Sequence, residues 1–66
     1  MPVINGKQED CAGMRLAEYL TNNGYKRTHI AIECNERILP KEEYENKVIE
    51  QDDVIEIVSF VGGGSR

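Results

Sequence analysis

The sequence predicts an α+β fold, with a mixed sheet of four to five strands packed on one helix. Three observations predict it. A single stretch, Met14 to Asn23, has helical spacing of its apolar residues. Turn signals at Asn5-Gly6 and Asn35-Glu36 stand on either side of that stretch, each between short apolar runs. The last and longest apolar run, Val54 to Val61, alternates in character and is the most apolar strand candidate, which assigns it to the middle of the sheet beside the first strand.

Val3 and Ile4 open the chain. Asn5-Gly6 follows, the strongest short hairpin signal, because both residues tolerate positive φ. Lys7 to Cys11 is the expected return strand, with one solvated face. Ala12-Gly13 breaks it. In the helix expected over Met14 to Asn23, Leu16, Tyr19 and Leu20 fall on one face, and Gly24 is the expected left-handed cap. No Ser, Thr, Asp or Asn stands close before the helix, so its start lacks a good N-cap. His29 to Cys34 reads as a strand with Ile30, Ile32 and Cys34 on one face, and Arg37-Ile38-Leu39 as the next. Pro40 cannot donate to a ladder and ends that strand, and Lys41 to Tyr44 reads as one helical turn. Glu50 to Asp53 is a polar turn. In the last strand Ile55 and Ile57 point one way, and Val54, Glu56, Val58 and Phe60 the other. Two hairpins flanking one helix, with the sheet folded over it, is the β-grasp arrangement, which buries one helix stripe against one sheet face.

Sixty-six residues make one domain. A chain of this size buries only about 60% of its unfolded surface and has no deep catalytic cleft of its own. The net charge of −4 argues against nucleic acid, since phosphate neutralisation needs clustered cations and Lys26-Arg27 is the one adjacent basic pair. No run approaches the ~18–20 apolar residues of a membrane span, and the N-terminus lacks the apolar core of a signal peptide. Cys11 and Cys34 do not make a secreted disulfide framework. They read as buried, reduced thiols of a cytoplasmic protein.

The chain closes on Phe60-Val61-Gly62-Gly63-Gly64-Ser65-Arg66. Three consecutive glycines lose much backbone entropy on ordering, so residues 1–61 are expected to form the domain and residues 62–66 a flexible tail. A tail without side chains can thread a narrow slot in another protein. The same composition also suits a frayed end or linker.

Three stretches resemble the ThiS family. They are Val3-Ile4-Asn5-Gly6-Lys7, the middle run from Ile32 to Tyr44 with its Pro40-Lys41-Glu42-Glu43-Tyr44 segment, and Asp52 through Gly64. ThiS proteins are ubiquitin-like β-grasp sulfur carriers of thiamine biosynthesis, and the resemblance spans nearly the whole chain. It implies that Gly64, the second residue of the Gly63-Gly64 pair, is the covalent site. There a ThiF-like adenylating enzyme spends ATP, sulfur derived from a cysteine desulfurase displaces AMP, and a thiocarboxylate forms. That sulfur then goes to thiazole formation on a ThiG-like thiazole synthase. Gly62 and Gly63 are the implied recognition residues of the tail. The chain departs from the family in continuing to Ser65-Arg66, so the reading calls for a protease that removes them, unless they are a cloning remnant. The carrier itself is expected to hold no cofactor or metal and to supply no catalytic residue. The alternatives are a thiocarboxylate carrier for another pathway, molybdopterin-like or other, and a plain β-grasp interaction module.

Val58 and Phe60 lie opposite the core-facing Ile55 and Ile57, immediately before the tail, and are the expected partner-docking residues. His29 reads as a surface residue at a strand start, and Tyr19 and Tyr44 as packing residues. Glu42-Glu43 and Asp52-Asp53 are expected to be solvated carboxylates on turns, with no catalytic role.

Overall fold

The computed structural model describes residues 1–60, so the expectations for Gly62, Gly63, Gly64 and the tail lie outside the described residues. The elements are β1 (Val3–Ile4), β2 (Lys7–Gln8), α1 (Leu16–Asn22), β3 (Ile30–Cys34), β4 (Arg37–Leu39) and β5 (Val54–Ser59). Short 3₁₀ turns at Arg27–His29 and Lys41–Glu43 complete the list. The strands form one mixed sheet in the order β2-β1-β5-β3-β4. β5 is the middle strand, parallel to β1 and antiparallel to β3. This is one helix packed on a five-stranded β-grasp sheet.

The alternation in β3 and β5 sets the core. Ile30, Ile32, Ile55 and Ile57 are buried and meet Leu16, Tyr19 and Leu20 from α1. Ile4, Tyr44 and Ile49 close the sides of the core. Both hairpin turns put two residues at positive φ, with Asn5 at 53° and Gly6 at 83° in one, and Asn35 at 54° and Glu36 at 70° in the other. Such turns follow the right-handed twist of the strands. Asn5 also extends the β1 ladder, since its Oδ1 accepts from the Ile57 N–H at 2.7 Å. Glu36 sits where glycine is the favoured residue. Glu36→Gly is therefore expected to raise stability by about 0.5–1 kcal/mol, the left-handed penalty less the added unfolded-state entropy. A urea titration reads this directly, and a lowered midpoint would refute it.

Several boundaries differ from the sequence expectation. β2 ends at Gln8 instead of reaching Cys11: the Glu9 N–H still follows the ladder to the Pro2 carbonyl at 2.9 Å, but Pro2 has no N–H to return, and the Cys11 N–H turns back to the Glu9 carbonyl at 2.9 Å as the chain folds toward α1. Cys11 is buried but lies in that connection, not in a strand. The helix starts at Leu16, not Met14. The backbone just before it is engaged with residues 47–49: Gly13 N–H reaches the Ile49 carbonyl at 2.7 Å, and Leu16 N–H reaches the Lys47 carbonyl at 2.9 Å. Arg15 is extended and offers no side-chain cap. At the other end Gly24, at φ 78°, allows Tyr25 N–H to reach the Leu20 carbonyl at 2.9 Å and Gly24 N–H the Thr21 carbonyl at 3.2 Å. That pair of bonds satisfies the last helical carbonyls. His29 falls in a 3₁₀ turn just before β3 and is exposed.

The largest departure is Asp53. Asp52 is exposed as expected, but Asp53 retains only 5% of its surface. Its carboxylate accepts from Lys47 Nζ at 2.8 Å, Glu50 N–H at 2.9 Å and Asn35 Nδ2 at 3.0 Å. Asn35 Oδ1 in turn accepts from Val54 N–H at 2.9 Å, which ties the network to the start of β5. A buried carboxylate is stable only when paired and hydrogen-bonded, and this one is.

Candidate docking face and tail root

The helix covers one face of the sheet and leaves the other open. On that outer face β5 presents Val54, Glu56 and Val58, and β3 presents Ala31 and Glu33, all of them exposed. Val58 retains 60% of its surface and stands opposite Ala31. Ile38 on β4 retains 74% and stands opposite Glu33. Glu33 also stands directly opposite Glu56. Two like charges in that relation are destabilising, by roughly 0.2–1 kcal/mol.

Phe60 is the last described residue. Its N–H donates to the His29 carbonyl at 2.9 Å, which carries the β3–β5 ladder one step past β5. Its ring lies 5.8 Å from the Lys41 ammonium, within cation–π range. Lys41 Nζ also donates to the Arg27 carbonyl at 3.1 Å, and Arg27 pairs with Glu45 on the surface. The Arg27 guanidinium holds the Glu45 carboxyl below its ordinary value. An apolar groove of about 240 Å³ runs beside the ring, lined by Ile30, Ala31, Ile38, Leu39, Pro40 and Phe60. Both sequence-selected docking residues thus lie exposed on one side of the sheet, and the fold brings Ala31, Ile38 and Lys41 to them. Sequence alone did not select these three, because their proximity depends on the β3–β4–β5 register.

A second hollow of about 540 Å³ is lined by Cys34, Asn35, Arg37, Pro40, Glu43 and Lys47. Burial pushes the Cys34 thiol up, even with Lys47 nearby, and burial likewise raises Cys11. A protonated thiol is a poor nucleophile, so neither cysteine is poised to carry sulfur. Among the described residues no group of three or more His, Cys, Asp and Glu is placed to hold a metal ion, and no helix is long and apolar enough to cross a membrane.

The model of the ThiS family matches residues 3–64. The chain belongs to the ThiS family. A crystal structure of the thiamine biosynthesis protein ThiS from Geobacter metallireducens superposes with a TM-score of 0.72 at 25% identity, covering 96% of this chain and 97% of that one. Curated relatives include a thiazole synthase of Paramagnetospirillum magneticum, 38% identical over 64 residues. Another is the uncharacterized protein ycf40 of Porphyra purpurea, 34% identical over 62 residues and matched over 87% of its length. The chain spans 20% of the length of the thiazole synthase it matches. The ThiS match takes in Gly62, Gly63 and Gly64 and stops before Ser65.

Within this ThiS-family fold Phe60 is only half-buried, at 47% exposure. Phe60→Ala is therefore expected to cost about 1 kcal/mol of stability, well below the 3–5 kcal/mol of a core phenylalanine. If Phe60 docks a partner protein, as the sequence leads one to expect, the same change should weaken that binding more, by about 30-fold, as for an aromatic anchor at an interface. Thermal melts beside titration with an adenylating enzyme separate the two. A large thermal loss with unchanged affinity would place Phe60 in the core and not at an interface.

Proposed function

We propose that this protein is a sulfur carrier of thiamine biosynthesis, a protein cosubstrate and not an enzyme. The ThiS family match over residues 3–64, ending on the Gly63-Gly64 pair, carries the reading. The occurrence of a ThiS-like stretch within proteins named thiazole synthase favours thiamine over other thiocarboxylate pathways.

The chemistry follows from the terminus. A carboxylate is a poor electrophile, so a ThiF-like enzyme transfers the adenylyl group of ATP to Gly64 and releases pyrophosphate. Attack by sulfide forms the C–S bond, breaks the C–O bond to AMP and leaves the thiocarboxylate. Attack by a desulfurase-borne persulfide gives an acyl disulfide, which a thiol cleaves to the same product. The thiocarboxylate then donates its sulfur to a ThiG-like thiazole synthase in the cytoplasm. This chain contributes recognition and a tether. The outer face with Val58 and Phe60 docks the partners, while Gly62 and Gly63 let the backbone lie close to the walls of two different active sites. Removal of Ser65-Arg66 by a protease precedes activation.

Intact-mass measurement tests the proposal. Protein from native cells should end at Gly64. Incubation with the adenylating enzyme, ATP, a cysteine desulfurase and cysteine should then add the mass of one sulfur-for-oxygen exchange. Protein that keeps Ser65-Arg66 throughout and never gains sulfur would instead be an interaction module.

A further inference from the structure

Three segments are tied together where β5 ends. The Phe60 N–H donates to the His29 carbonyl at 2.9 Å, at the close of the 3₁₀ turn Arg27–His29. Lys41 opens the other 3₁₀ turn, and its Nζ donates to the Arg27 carbonyl of the first turn at 3.1 Å. The same ammonium stands 5.8 Å from the centre of the Phe60 ring. The contacts therefore close a circuit that runs from Phe60 to the first turn, on to Lys41 and back to Phe60. The Lys41 backbone is fixed from both sides. Pro40 precedes it at φ −65°, and the Lys41 carbonyl accepts from the N–H of Tyr44, a fully buried core residue, at 3.1 Å. Lys41 thus couples the last described residue to the core. Neither Lys41 nor Phe60 belongs to that core, and an exposed cation–π contact contributes little to global stability. The circuit holds one place on the chain more than it holds the fold.

We propose that Lys41 is a positioning residue for the adenylation of Gly64, acting through Phe60 to fix the point from which the reacting end departs. The inference rests on the sulfur-carrier reading. Gly64 lies four positions past Phe60, and four residues span at most about 14 Å. With so short a reach, the place of departure decides whether the Gly64 carboxylate meets the α-phosphorus of ATP in line with the departing pyrophosphate. Releasing Phe60 lengthens the reach and adds backbone rotations that must be stopped before reaction. Lys41 touches no reacting atom. It acts on the rate by holding the Phe60 ring, and an arginine in its place keeps a cation over that ring.

The test is exchange of labelled pyrophosphate into ATP by a ThiF-like enzyme, measured against carrier concentration. The carriers end at Gly64, since the core is complete without the residues beyond it. Lys41→Met should lower kcat about fivefold, the worth of an exposed cation–π contact, with KM and Tm little changed. Lys41→Arg should restore most of the rate. The two glycines of a second series, inserted after Val61, uncouple Gly64 from Phe60. In that lengthened chain Lys41→Met should add no further loss, because the two changes act on the same step. Equal kcat for wild type and Lys41→Met in the normal chain would overturn the inference and leave the carrier reading standing. A raised KM at constant kcat that persists in the lengthened chain would also overturn it, making Lys41 a direct contact of the partner. So would a fall in Tm that tracks the loss of rate. No exchange by wild type would remove the inference together with the carrier reading.

Discussion

Asp53→Ala is expected to destabilise the fold by roughly 2–3 kcal/mol. The carboxylate is the shared acceptor for Lys47, Glu50 and Asn35, and its removal orphans all three donors at the point where β5 begins. Breaking a buried ion pair from one side costs about 3–5 kcal/mol, and Lys47 still has access to water, with 20% of its side chain exposed, which lowers the figure. In a domain this small the loss corresponds to a fall of roughly 10–20 °C in Tm. Circular dichroism melts measure it, and a change of only a degree or two would show the network to be inert. Acid should act on the same network. Burial opposes ionisation of Asp53, but Lys47, the Glu50 N–H and Asn35 outweigh it and hold the carboxyl below its ordinary 3.8. A group depressed in the folded state contributes its stability above the unfolded value and loses it as pH falls through the folded one. Wild type should therefore weaken below about pH 3.8, and Asp53→Ala should show a shallower acid limb.

Gly64→Ala is expected to abolish adenylation while the fold stays intact. Gly64 stands past the last described residue, and the core from Ile4 to Ile57 is assembled without it. In the partner's slot an added methyl both occupies space against the wall and restricts φ. Misplacing a reacting group by about 1 Å costs on the order of 10²-fold in rate, so exchange of pyrophosphate into ATP should fall at least that far. The experiment uses chains ending at residue 64. Normal exchange by the alanine variant would show that the slot does not require glycine there.

The strands that carry the core were legible because their physics is local. Ile30, Ile32 and Cys34 alternate on β3, and Ile55 and Ile57 alternate on β5, so their inward faces follow from the period of two. Asn5-Gly6 announced its turn through backbone preference alone. Asp53 was misread because nothing adjacent marks it. Its counter-charge is Lys47, six positions earlier, and its amide donor is Asn35, eighteen positions away, and only the folded register brings them together. The helix start was set two residues early for a similar reason. Met14 had helical spacing, but the backbone around it hydrogen-bonds with residues 47–49 instead. The exposure of Val58 and Phe60 was readable from strand alternation. The Glu33–Glu56 pair was not, since it exists only where β3 meets β5.

The place of β5 has a consequence for synthesis. It lies between β1 and β3 in the sheet yet follows both of them in the sequence. On the ribosome, β1 and β3 must wait with their pairing edges unfilled and their isoleucines uncovered until residues 54–59 have emerged. Closure is then a single late event that joins both hairpins at once. A nascent chain stalled before Val54 would be a candidate client for a chaperone.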